Sequence, residues 1–163
     1  MANAQLGPVR IEVTDPQEPD ARLCLRAYFE ELARRFEGGF DPALSISASD
    51  AEMTLPLGLL VVATRAGQPV GCGALKLHRD TQIAEVKRMW TSADVRGLGL
   101  GRRILDRLAE LAAGHGMVRL RLETNRALAE ARHLYESAGF VEVAAFNDEP
   151  YAHHWFEREL ARP

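Results

Sequence analysis

Apolar positions along this chain repeat with two periods, and the switch from one to the other marks out the elements. Residues 9–14 alternate weakly and predict an opening strand. Leu25, Phe29, Leu32 and Phe36 then recur at helical spacing, predicting an amphipathic helix over 21–36. Pro19 and Asp20 precede it, and Gly38-Gly39 end it. Residues 40–57, with Ser45, Ser47, Ser49 and two prolines, predict a loop with a short helix near 49–52. Strands are predicted over 59–64 and 70–78, joined by the turn Ala66-Gly67-Gln68-Pro69 as a hairpin. A third strand runs over 83–91. Ile104, Leu105, Leu108, Leu111 and Ala112 form one apolar face of a helix over 99–113, closed by Gly114-His115-Gly116. Val118, Leu120 and Leu122 alternate with Arg119, Arg121 and Glu123, a strand with one buried face. A helix over 128–137 and strands over 140–146 and 153–160 complete the order. The pattern predicts one mixed sheet with helices on both faces, an α/β fold.

Length and charge narrow the picture. A chain of 163 residues favours a single domain over 1–163 with its own core. A net charge of −3 offers no footprint for nucleic acid. Cys24 and Cys72 lie far apart in the sequence and form no paired motif, which predicts a reduced, cytoplasmic protein. No apolar run approaches membrane-spanning length, so no membrane partner is expected.

The stretch Val-Arg-Gly-Leu-Gly-Leu-Gly at 95–101 carries the most chemistry. It joins a strand to a helix. Glycines there let a ligand approach the backbone, and the free N–H groups of a first helical turn favour an anion. A tight turn with no ligand explains the glycines equally well. Two phosphate loops are excluded by spacing. Gly101 is followed by Arg102 and Arg103 rather than Lys-Ser/Thr, and the third glycine of a dinucleotide fingerprint is replaced by Arg102.

What remains is Arg96-x-x-Gly99-x-Gly101. With it, the sequence resembles the GNAT-type N-acetyltransferase superfamily. The strand Ala84-Glu85-Val86-Lys87-Arg88-Met89-Trp90-Thr91 is similar to that family's central strand. Asn125 to Phe140 is similar to its second motif, with Ala131, Leu134-Tyr135 and Gly139-Phe140 in place. The resemblance covers roughly residues 58–160; Ala93 stands where many members carry Pro. It implies a mostly antiparallel GNAT-like sheet and acetyl-CoA as co-substrate. It also implies direct attack of an amine on the thioester in a ternary complex. Helices within 19–53 would shape the acceptor site.

Each step of that chemistry has candidate residues. The loop Gly97, Leu98, Gly99, Leu100, Gly101 and Arg102, with Arg96, would hold the pyrophosphate; Arg103 serves equally as a solvated helix start. By resemblance, Met89, Trp90 and Thr91 would pair with the pantetheine arm, and Asn125 would touch it, although Asn125 also suits a helix N-cap. Tyr135 lies on the inward stripe Ala131, Leu134, Tyr135, Ala138; the family match implies a general acid towards the sulfur. Strand alternation places Glu85 with Lys87 and Met89 on one face, before any bulge. Glu85 would take the amine proton or attract a cation, unless it is an ion pair with Lys76 or another nearby base. Phe29, Glu30, Glu31, Phe36, Phe40, Asp148, Glu149, Tyr151 and Trp155 are candidate acceptor contacts, and carboxylates among aromatics suit a small cationic amine. His153-His154 would point to opposite faces of a strand, which argues against a metal site. Alternatives are a protein or peptide amine as acceptor, a coenzyme A-binding module without catalysis, and a purely structural domain. A monomer or homodimer is expected.

Overall fold

The structure, a computed structural model, describes residues 5–46 and 48–161; Ser47 of the predicted loop lies outside them. Seven strands form one sheet: β1 (Arg10–Val13), β2 (Gly58–Arg65), β3 (Gln68–His78), β4 (Ile83–Thr91), β5 (Arg119–Thr124), β6 (Val141–Val143) and β7 (His154–Glu159). Their order is β1-β2-β3-β4-β5-β7-β6, antiparallel except where β4 runs parallel to β5. Three α-helices cover it: α1 (Pro19–Arg35), α2 (Leu100–Gly114) and α3 (Ala129–Ser137).

The helical periods decide which faces are buried. α1 starts at Pro19, whose missing N–H costs nothing in a first turn. It lays Ala21, Cys24 and Leu25 on one face of the sheet, against Leu60, Val62, Cys72 and Ala74. This packing brings Cys24 and Cys72, 48 positions apart in sequence, into one buried cluster as free thiols, Cys24 donating to the Gly71 carbonyl (3.6 Å) and Cys72 to the Arg88 carbonyl (3.1 Å). α2 buries Leu100, Ile104, Leu105, Leu108 and Ala112 on the other face, with Tyr135 of α3. Gly71 and Gly73 lie beneath α2: a Cβ on Gly73 would stand 2.9 Å from Leu108 and from the Met89 sulfur. The β2–β3 hairpin turns on Ala66 and Gly67, both at positive φ, as a two-residue loop requires.

Some elements differ from expectation. Of the helices expected within 19–53, only α1 is an α-helix; residues 42–44 and 51–53 are single 3-10 turns. The strand predicted over 140–146 is only β6, because residues 144–152 leave the sheet and run towards the loop after α1. Asn125 is not a helix cap. α3 begins at Ala129 after Leu128, and the Asn125 side chain instead accepts from the Ala127 N–H (2.8 Å) and donates to the Tyr151 carbonyl (2.7 Å).

Strand β4 contains the feature that alternation could not foresee. Ala74 faces Lys87 and Cys72 faces Trp90, so two residues, Arg88 and Met89, oppose Gly73 alone. Arg88 adopts a φ of 57°. This is a β-bulge. It reverses the side-chain parity beyond Lys87. Met89 therefore leaves the face of Glu85 and Lys87 and packs against the α2 core, while Arg88 stays on the α1 face beneath Phe29.

Candidate active site

Strands β4 and β5 pair only from Ile83–Arg119 to Glu85–Arg121. Beyond Glu85 they part, and the wedge between them opens into a cleft of about 390 Å³. Its walls come from β4 (residues 86–91), β5 and its exit (122–125), α1 and α3. Backbone groups that a neighbouring strand would otherwise satisfy face this gap, so an extended ligand can pair with them as a strand would.

The glycine loop forms one end. Gly97 and Gly99 have φ of 79° and 85°, and Gly99 is the N-cap of α2. The N–H groups of Leu100, Gly101 and Arg102 have no acceptor within their helix and line the cleft end. That is a cradle for an anion. Met89, Trp90, Thr91, Arg96, Gly97, Gly99, Leu100, Gly101, Arg102 and Asn125 all line the cleft. Leu98 does not; it packs against the core. Arg96 reaches across the mouth to pair with Glu31 and donates to the Thr91 carbonyl (3.0 Å).

The other end is closed by two loops that hold each other. Glu149 is buried and accepts from Ser45 Oγ (2.8 Å) and the Ile46 N–H (2.5 Å). Tyr151 accepts from the Asp41 N–H (2.9 Å), and its ring packs on Phe36 and Phe40. Phe36 lines the cleft. Phe29, Glu30 and Asp148 do not. Phe29 stacks on Phe40 and carries the Arg88 guanidinium, and Glu30 and Asp148 are exposed.

Tyr135 is brought to the centre of the cleft wall, its ring against Phe140 and Phe156. Burial pushes its phenol up, and the nearby Tyr28 and the Glu123 charge push the same way, so it holds its proton. Glu85 is not brought there. It is 8% exposed in a buried ion network outside the cleft wall. Its Oε1 meets His78 Nε2 (2.7 Å) and Arg121 Nη2 (2.8 Å), and its Oε2 lies 3.5 Å from Lys87. Lys76, its cross-strand neighbour, pairs instead with Glu52 (3.0 Å).

Burial raises the Glu85 pKa, but Arg121 and the charges of Lys87 and His78 outweigh it and hold the carboxyl at about 2. A depressed folded pKa stabilises above the ordinary value of 4.5 and loses that contribution as pH falls towards 2. That contribution is on the order of 3 kcal/mol. Glu85→Gln is therefore expected to lower the urea midpoint at pH 7 and to flatten the loss of stability between pH 5 and 2. Parallel acid-unfolding curves for variant and parent would remove Glu85 from the stability argument.

Three groups in the cleft were missed by the sequence reading: Tyr28, Lys87 and Glu123; Glu31, Phe40, Glu149 and Tyr151, read as acceptor-pocket residues, do line it. Tyr28 hydrogen-bonds Arg88, and Lys87 donates to Glu123 (2.5 Å). Alternation put Glu123 on the polar face of its strand, opposite Leu120 and Leu122, and only the placement of β5 beside β4 brings it to Lys87.

The description of an acetyltransferase (GNAT) domain matches residues 56–142. An "IAA acetyltransferase" of Azospirillum brasilense is 34% identical over 140 residues, covering 85% of this chain and 90% of that protein. A GNAT-family acetyltransferase of Staphylococcus aureus Mu50 shares the fold with a TM-score of 0.77 at 16% identity, over 94% of this chain and all of that one. A Neisseria gonorrhoeae N-acetylglutamate synthase, solved with coenzyme A and N-acetyl-glutamate, shares it with a TM-score of 0.69 at 16% identity. This chain is covered over 94% in that alignment, and spans 36% of that longer protein.

Proposed function

Because the chain belongs to the GNAT acetyltransferase family, we propose that it transfers the acetyl group of acetyl-CoA to the primary amine of a small molecule, by direct attack in a ternary complex. The observation that carries this reading is the continuity of the glycine cradle with the wedge between β4 and β5. The phosphates of coenzyme A would sit on the N–H groups of α2, where the helix dipole favours them. The acyl arm would run along the freed edge of β4. Its thioester would then lie near Tyr135, whose hydroxyl would protonate the departing sulfur. A backbone N–H of the bulged strand would polarise the carbonyl oxygen.

The closed acceptor end supports a small molecule over a polypeptide. Glu149 and Tyr151 tie residues 41–46 across the cleft, and an extended chain would have to displace them. The test is an amine panel incubated with acetyl-CoA, with thiol release as the readout and calorimetry for acetyl-CoA alone. Binding with amine-dependent release is the expected result. Binding with no turnover on any amine would favour a coenzyme A-binding module. No binding would leave the glycines as a turn.

A further inference from the structure

We propose that the acceptor is a diamine, and that the closed end of the cleft holds its second nitrogen as an ammonium, on the carboxylate of Glu149 and the rings of Phe36, Phe40 and Tyr151. This rests on the acetyltransferase reading above and names its substrate class. All four residues line the cleft. Phe40 and Tyr151 lie 4.7 Å apart between ring centroids, and Phe36 lies 5.7 Å from each. Phe36 is buried, whereas Phe40 and Tyr151 are half-buried and keep ring surface on the cleft. The faces of such rings carry partial negative charge and attract a cation.

Glu149 adds a full charge to the rings. The other carboxylates of the cleft are each balanced by a cation: Glu31 by Arg96, Glu123 by Lys87 and Glu130 by Arg35. Glu149 is 7% exposed and forms no ion pair among the described residues. Its oxygens take only neutral donors, Ser45 Oγ and the Ile46 N–H. A carboxylate offers about four lone-pair sites, so two donors leave it room for more. A buried negative charge without a counter-ion favours a cationic occupant. A hydrocarbon ring seated there would strip water from the carboxylate and return nothing to it. The same cleft runs from this end to the wedge, so one nitrogen can stand at the thioester while the other stays at Glu149.

Only one nitrogen reacts. It attacks the thioester carbon as a neutral amine, and C–N forms as C–S breaks. The sulfur takes the Tyr135 proton, the attacking nitrogen's proton restores Tyr135, and coenzyme A leaves as the thiol. The other nitrogen keeps its charge throughout, so the product carries one amide and one ammonium. Turned end for end, that product would set a neutral amide against Glu149. A second transfer is therefore disfavoured, and the monoacetyl diamine accumulates.

The test sets a series of linear α,ω-diamines against alkyl monoamines of matching length and against phenethylamine, read by thiol release and by the mass of the product. The expected result is a kcat/KM for the best diamine above that of its matched monoamine by roughly 10–100-fold, with a monoacetyl product. Equal values, or a preference for phenethylamine, overturn the proposal and leave the acetyltransferase reading standing. No amine-dependent release by the parent overturns both. Two variants separate recognition of charge from the tie between the loops. Glu149→Gln removes the charge, while its amide can accept from the Ile46 N–H and donate to Ser45 Oγ; the diamine advantage should shrink to about threefold or less, through the KM of the diamine. Ser45→Ala removes one donor of the tie and leaves the charge and the rings, so the advantage should persist. An equal loss in both variants would assign the effect to the tie and overturn the proposal. If Glu149→Gln fails to bind acetyl-CoA and so to fold, Phe40→Leu decides. It keeps apolar bulk and removes a ring, so the advantage should fall by about threefold or more, and a parental ratio would overturn the site.

Discussion

Tyr135→Phe is expected to lower turnover by roughly 10²–10⁴-fold while acetyl-CoA binding and the fold persist, the usual effect of losing a positioned acid. The ring packs against Phe140 at 5.8 Å and Phe156 at 6.3 Å between centroids, and phenylalanine keeps both contacts. Only the hydroxyl is removed. The phosphates of the cofactor would be held at the start of α2, away from α3, so affinity by calorimetry should hold. The phenol's raised pKa bears on the mechanism. Burial and the Glu123 charge make Tyr135 a weaker acid than an exposed tyrosine. It therefore stays protonated across the working pH range, and proton transfer would accompany C–S cleavage rather than precede it. Single-turnover thiol release on a confirmed acceptor makes the measurement. Full turnover in the variant would mean that the thiolate leaves unaided and that Tyr135 is core packing.

Gly99→Val is expected to abolish acetyl-CoA binding at concentrations that saturate the parent. Two effects act together. Gly99 holds a φ of 85°, a conformation that costs a non-glycine residue about 1–2 kcal/mol and a β-branched one more. Nothing lies within 4 Å of a Cβ built there, so the new side chain would project into the open cradle rather than into the core. The fold should survive with a Tm lowered by a few degrees, since about 1 kcal/mol moves a domain of this size by roughly 2–4 °C. Calorimetry with acetyl-CoA, alongside a thermal scan, makes the check. Parental affinity would remove the glycine loop from the binding argument. Gly101 is a different case: a Cβ there would meet Leu134 of α3 at 3.2 Å, so substitution would disturb the helix packing as well as the cradle.

The cleft also explains why Glu85 attracted attention and Glu123 did not. Both are acidic residues that alternate with the apolar face of their strands, and nothing in that alternation ranks one above the other. Glu85 lies where β4 and β5 still pair, so the strands bring Arg121 and Lys87 around it and satisfy it. Glu123 lies just beyond, where they separate and leave one of its oxygens without a donor. The distinction depends on where the pairing ends.

Features that depend on neighbours a few residues apart were legible along the chain. Helical spacing in 104–112 gave the buried face of α2, alternation in 118–123 gave the inward side of β5, and the glycines at 97, 99 and 101 marked the turn into α2. These follow from the fixed periods of helix and strand and from the freedom of glycine at positive φ, which act over one or two turns of chain. The motif at 96–101 also identified the family. Other features come from contacts between segments far apart in the chain. The bulge at Arg88–Met89 shows in the pairing of β4 with β3, and it carried Met89 to the opposite face. The cleft exists because β4 and β5, joined through α2, pair for three residues and then part. Its closed end joins residues 41–46 to 149–151, more than a hundred positions away. Side chains so distant in sequence leave no period between them. Their meeting is set by strand order, register and the close packing of helices on the sheet.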